Sequence, residues 1–247
     1  DLLTIVDISE GAAADKNKKI TVQNLFKGIP GDVGIGQATP SAKLDVNGDA
    51  LINGLTVGRG LGSDDTNTAL GNGALAANTS GSGNTANGKD AFAVGTTGSN
   101  TTAIGENALS ANTTGDSNTA CGKSAMVANT TGDENVAYGH AALRENIASS
   151  KNVAVGRDAL RANKAGSNAT AIGFESQRNN NDTGSAFDNA NVSVGYQSLK
   201  GSSTAANNTG NSNTVVGYQA LTGNTTGSHN VAAGYQALFT NAVGFNN

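Results

Sequence analysis

The sequence predicts an all-β fold: a trimeric parallel β-solenoid, or β-roll, with repeats of about 17 residues, preceded by a small β-rich N-terminal region. Three observations carry this expectation. A unit of the form N-[TV]-A-h-G-x-x-A-L-x-x-N-T-T-G-x-x, with h mostly aliphatic, recurs ten times. Its fifth-position glycine falls at Gly71, Gly88, Gly105, Gly122, Gly139, Gly156, Gly173, Gly195, Gly217 and Gly234. The unit is dense in Gly, Asn and Thr, which are poor helix formers, and its apolar residues do not fall at helical spacing. Finally, fewer than a fifth of the 247 residues are Leu, Ile, Val or Phe, and the net charge is only −4. The chain therefore has neither the core of an ordinary globule nor the self-repulsion of a disordered segment, and regular repetition is the remaining route to order.

Three regions follow along the chain. Residues 1–32 read as a β-rich attachment or docking region, with short strands over 2–8 and 19–22 and a brief helical or irregular element over 22–27. Residues 33–66 read as a hairpin-rich connector. Its β-prone runs 43–46, 50–52 and 55–57 alternate with Asn47-Gly48 and Asn53-Gly54, dipeptides that favour tight strand reversals. A Gly/Asp-rich joint over 58–66 leads into the repeat domain, 67–247.

Each repeat position has a physical reading. The opening Asn, as at Asn67, Asn84, Asn118, Asn135 and Asn152, would stack once per coil and bond along the axis. Positions two and four (Val136 with Tyr138, Val153 with Val155) share one face of a short strand, which their β-branching suggests is buried. The near-constant Ala at position three implies a crowded face. The fifth-position Gly allows a bend or a close backbone approach. Ala-Leu then opens a second strand, and N-T-T-G closes the coil as a turn. One copy thus reads as strand, bend, strand, turn. The two steps of 22 residues add five each around 179–185 and 202–208, where an exposed corner would take them. Asn87, in an aliphatic column, and Gln177, in the Leu column, are expected to be the weakest links of the core. So little apolar surface per copy points to three chains sharing their faces. The unit reaches its opening Asn again at Asn247 with nothing like a cap after Leu238, so a continuation beyond this residue is expected.

No residue set suggests chemistry. Gly83 to Lys89 matches most of a phosphate-binding loop, but Asp90 stands where Ser or Thr would hold magnesium, and every residue is in repeat phase. Asp45, Asn47 and Asp49 only faintly resemble a calcium loop and read as a hairpin turn. His140 and His229 occupy variable positions without partners at ligand spacing. Cys121 takes an aliphatic position and reads as a small core residue. The sequons at Asn78, Asn112, Asn129 and Asn224 arise from the turn motif, and the Thr rows beside them break at Ile147 and Lys164, against an ice-binding array. Lys16, Lys18 and Lys19 decorate a solvated turn, and no basic run suits nucleic acid. No apolar stretch is long enough to span a membrane as a helix. No catalytic, cofactor-binding or metal residue is assigned, and the chain is expected not to be an enzyme.

The N-[TV]-A-h-G core resembles the head repeats of trimeric autotransporter adhesins, which are left-handed parallel β-rolls in threes. The longer form with G-Y-Q-A-L, at Gly217 to Leu221 and Gly234 to Leu238, is similar to repeats of phage tail fibres. The run from Val33 through Gly58, with G-I-G-x-x-x-P-x-x-K-L-D-V-x-G, also resembles an element of tail fibres and tailspikes. These resemblances imply a structural fibre protein of a virion, a homotrimer. It would join other tail, baseplate or fibre proteins through its N-terminal region and contact a host surface receptor such as a polysaccharide. The alternative they imply is the head of a trimeric adhesin on a bacterial cell surface.

Overall fold

The computed structural model describes residues 33–35, 44–46, 48–60, 66–180, 184–204 and 207–247. The strands and docking element expected over 2–27, and the cluster Lys16, Lys18 and Lys19, lie outside them. The chain divides into two compact units, Asp1–Asn47 and Gly48–Asn247. In the first, β1 (Val33–Ile35) and β2 (Leu44–Val46) pair in parallel. The reversal expected at Asn47-Gly48 falls in part on Asn47, outside the described residues.

The second unit is a parallel β-solenoid, with no α-helix among the described residues. It opens with a hairpin. β3 (Ala50–Ile52) and β4 (Leu55–Gly58) pair antiparallel across Asn53 and Gly54, whose φ angles of 50° and 81° are those of the tight turn expected there. β4 then lies antiparallel against β5 (Thr68–Leu70) and so covers the first edge of the solenoid. From β5 onward each copy adds one three-residue strand in parallel. The strands are β6 (Thr85–Asn87), β7 (Thr102–Ile104), β8 (Thr119–Cys121), β9 (Val136–Tyr138) and β10 (Val153–Val155), then β12 (Thr170–Ile172), β14 (Val192–Val194), β15 (Thr214–Val216) and β16 (Val231–Ala233). Repeat-equivalent residues are in register at every step, as with Ala103↔Ala120. The first long copy adds a side pair, β11 (Gly166–Ser167) with β13 (Phe187–Asp188).

Burial reverses one expectation. Position three, not positions two and four, faces the interior: Ala86, Ala103, Ala120, Ala137 and Ala154 are fully buried, while Ile104, Val136 and Tyr138 are exposed. The interior is narrow, because Ala108 and Leu109 of the same coil fill most of it, and position three carries a larger apolar side chain only at Val215. Asn87 consequently lies on the outer face, exposed, and Cys121 lies there too, half-buried rather than in the core.

The second strand of each coil is also absent. Where Ala-Leu was expected to extend, the backbone alternates hands. Leu109 has φ of 52° and Asn107, two residues earlier, 58°, and the same pair recurs in every copy. Left-handed backbone costs a non-glycine residue about 1–2 kcal/mol. The ladder along the axis offsets it. The N–H of Asn107 donates to Lys89 O in the preceding coil at 2.9 Å, and that of Leu109 to Ala125 O in the following coil at 3.0 Å. Alternating hands thus send successive amides to opposite neighbours, and each coil is bonded on both sides without a second strand.

Gln177 is fully buried but not orphaned. Its Nε2 donates to Thr170 O at 2.9 Å and Ser193 Oγ at 3.0 Å, and its Oε1 accepts from Asn189 Nδ2 at 3.4 Å. With Ser176 Oγ lying 2.5 Å from Ser193 Oγ and 3.0 Å from Ser198 Oγ, it forms a polar plug. The plug separates the apolar interior into one cluster from Ala69 to Ala171 and another around Leu199, Val215 and Leu221.

Candidate functional site

The interior columns are structural, and they are ladders. The Oδ1 of each opening Asn accepts the N–H of its equivalent in the next coil, as Asn152 N–H to Asn135 Oδ1 at 3.0 Å, and its Nδ2 donates to the closing turn, as Asn135 to Ser149 O at 2.9 Å. The turn Asn forms a second column. Asn112, Asn129 and Asn224 each donate to the carbonyl three residues on, at 2.9–3.0 Å, and Asn129 also donates to Asn112 Oδ1 at 2.6 Å. These sequon asparagines, and Asn78, are buried, so turn construction is their role. The Thr hydroxyls beside them are likewise committed, each donating to the carbonyl of the next coil, as Thr113 Oγ1 to Thr130 O at 3.0 Å. A third column escaped the sequence reading. One residue after the turn Gly, the side chains of Ser99, Asp116, Asp133 and Ser150 each accept the N–H of the preceding coil at 2.6–3.2 Å. Its sequence signal is the restriction of that position to short side chains with an acceptor oxygen.

The phosphate-loop likeness fails on its amides. Gly83 N–H donates to Thr66 Oγ1, Asn84 N–H to Asn67 Oδ1, Thr85 N–H to Thr101 O and Gly88 N–H to Leu70 O, each at 2.8 Å. These four amides are committed to neighbouring coils rather than to an anion, and β6 runs through the segment. Asp49 Oδ1 accepts the N–H of Arg59 at 2.6 Å, closing the hairpin; Asn47 lies outside the described residues. Among the described residues no three His, Cys, Asp or Glu side chains gather where they could hold a metal. No helix among them is long and apolar enough to cross a membrane.

Three outer features remain. On the strand face, Leu70, Ile104, Val136, Tyr138, Val192 and Val216 form an exposed, largely β-branched stripe, interrupted at Asn87 of β6. A second feature occupies the C-terminal coils, where Gly-Tyr-Gln recurs. Phe174, Tyr196, Tyr218 and Tyr235 stack face to face, with ring centroids 5.0–5.3 Å apart and planes within 9°. Beside them Gln197 Nε2 donates to Glu175 Oε2, Gln219 to Gln197 and Gln236 to Gln219, at 2.8–3.0 Å.

The third feature continues these two columns toward the N-terminus, where they become charged. A depression of about 310 Å³ is lined by His140, Arg144, Arg157, Arg161, Arg178 and Asp158, with Ser124 and Ala141. Asp158 is shared by Arg157 at 3.3 Å and Arg161 at 3.6 Å. Arg178 and Lys200 share Glu175 at 3.5 and 2.6 Å. Burial pushes the Glu175 carboxyl up, but the hydrogen bonds from Lys200 and Gln197 and the nearby cations outweigh it and hold the carboxyl below the usual glutamate range. Glu106 is lowered in the same direction by its 2.8 Å hydrogen bond from Lys123, one coil on. Of the two histidines, His140 lines the depression and His229 is exposed at a left-handed turn position. Sequence reading set both aside and missed the arginines, because their common column appears only once the coils are stacked.

No protein-family model matches this chain, and neither a curated protein nor a solved structure does.

Proposed function

We propose that this chain is a non-catalytic, homotrimeric fibre segment of a phage virion, a tail-fibre component that mediates host attachment. The observation that carries this reading is the exposed apolar strand face. Nine steps between its ten parallel strands, at ~4.8 Å each, make a flat stripe roughly 43 Å long. Exposed contiguous apolar surface of this extent marks an interaction site. A stripe carried in register by most coils, and broken at Asn87, is best matched by the same stripe on identical chains about a common axis, where the β-branched side chains pack as they would in a core. The coil also gains length without gaining width, which suits a shaft. The 33–66 region would connect that shaft to neighbouring virion proteins, and the outer columns would face the host.

The second reading, the head of a trimeric adhesin on a bacterial surface, rests on the same stripe and on the Asn-Thr-Ala core of the coil. The two readings differ in location. Antibody against the repeat coils should label tail fibres in purified particles under the fibre reading, and the outer envelope of cells under the other. Sedimentation or native mass measurement should report three chains in both. A well-folded monomer at micromolar concentration would remove the common basis of the two.

A further inference from the structure

We infer that the arginine depression is an anion-recognition site for an acidic polysaccharide, one that carries carboxylate, sulfate or phosphate groups along its chain. The solenoid builds it by repetition. Arg144, Arg161, Arg178 and Lys200 hold the same position in four successive coils, so the stacking that aligns the glycines also aligns the cations, one per step of ~4.8 Å. Four arginines line the depression against a single lining carboxylate, Asp158, which Arg157 and Arg161 already share. Arg144 has no acidic partner within 4 Å among the described residues. Arg178 pairs with Glu175 at 3.5 Å through Nη1, while its Nε is buried without a hydrogen-bond acceptor. A buried donor left unmade is costly, and the Arg178 side chain, 29% exposed, can relieve that cost by turning its guanidinium toward an incoming oxyanion.

The surroundings select a saccharide over nucleic acid. The cationic patch is confined to a few coils of a chain whose net charge is −4, too short a track to follow a phosphate backbone. Arg157 lies over the ring of Phe174 at 5.7 Å, and from there the tyrosine and glutamine columns run on for three coils. They present phenol and amide groups suited to the hydroxyls of a sugar chain. Inside the column the aromatic faces are occupied by one another, and the open face of Tyr235 lies three coils from the arginines, so no row of free rings offers successive bases a place to stack.

This inference deepens the attachment reading, yet its test is separate, since binding by the purified full chain depends neither on location nor on the number of chains. An oligogalacturonate should bind at low salt in a calorimetric titration and weaken as salt rises. Polyphosphate, a neutral glucan and single-stranded DNA of similar length serve as comparisons. Arg144→Gln should weaken uronate binding roughly tenfold, and Arg144→Gln with Arg161→Gln should abolish it, while Lys151→Gln on another position should not change it. Because Arg144 holds no ion pair, its single variant keeps its fold, which an unchanged circular dichroism spectrum and melting temperature would verify. Binding that survives both arginine changes, or no binding to any polyanion, would overturn the site. Equal or tighter binding of DNA or of the neutral glucan would overturn the assignment to an acidic saccharide.

Discussion

A Cβ placed on Gly95 would lie 2.3 Å from Cε2 of Phe92. Phe92 stands where other coils have Leu, and Gly95 stands where they have the turn Asn, so one coil has exchanged an interior amide for ring volume. Gly95→Asn alone should cost about 1–3 kcal/mol through overpacking. Phe92→Leu alone should leave a cavity beside Gly95 and also destabilise. The double variant restores the common pattern and should recover most of both losses. Denaturant melts of the four proteins form a cycle, and simple additivity would show that ring and glycine are uncoupled.

The fifth-position glycines are held by space as well as by dihedral angle. A Cβ on Gly139, at φ of 133°, would sit 2.7 Å from both the carbonyl carbon and oxygen of Gly156 in the next coil. Those atoms are backbone and cannot yield without parting the coils. Gly184, at φ of 75° in the first insertion, has nothing within 4 Å of its Cβ position. Gly139→Ala should therefore abolish cooperative melting, whereas Gly184→Ala should cost only the left-handed strain, roughly 1–2 kcal/mol. Comparable melting temperatures for the two would refute the close-approach argument.

The Asn ladder loses a rung at Ala169 and recovers it from elsewhere. With no side-chain oxygen at Ala169, the N–H and Nδ2 of Asn191 donate to Asn189 Oδ1 instead, at 3.3 and 2.5 Å. Asn189 lies just after the first insertion, in the same long copy, so that copy repairs the column from its own residues. Asn189→Ala would leave the buried N–H of Asn191 unmatched, while its Nδ2 keeps Gly210 O at 2.9 Å, and should cost about 1–3 kcal/mol. Adding Ala169→Asn should return a large part of that, because the wild-type pattern of neighbouring coils is then restored. Thermal melts of both variants check this, and a harmless Asn189→Ala would mean that the rung is dispensable.

What the sequence made legible follows from which interactions repeat in kind. The spacing of the glycines revealed the coil, its register and the buried Asn column, because each needs one residue type at one position. The Asn53-Gly54 reversal was legible for the same reason: positive φ at two successive residues selects that pair. The left-handed leucines were not, since leucine has no preference for that conformation and is there for its volume. The outward turn of positions two and four was hidden because alternation separates two faces of a strand without marking which of them turns inward. The arginine column was overlooked differently: Arg144, Arg161 and Arg178 lie one repeat of 17 residues apart, but at a position that varies among the copies, so nothing singled it out until the solenoid set the three side by side.

The outer strand face gives the sharpest test of assembly. Asn87 stands in register between Leu70 and Ile104, and all three point away from the interior. A change there alters no contact of the Ala-Leu core, so its effect must come from whatever covers the face. If identical chains cover it, Asn87→Val adds apolar surface to the shared stripe and should raise the melting temperature of the trimer. Ile104→Lys should place a charge in the same stripe, where desolvation is unfavourable unless the ammonium is paired. It should lower the melting temperature, more so on dilution, and shift the sedimenting species below three chains. The two changes differ in sign only if the face is buried between chains. If Ile104→Lys still sediments as three chains with unchanged melting, the strand face is free in the assembly and the contact lies elsewhere on the coil.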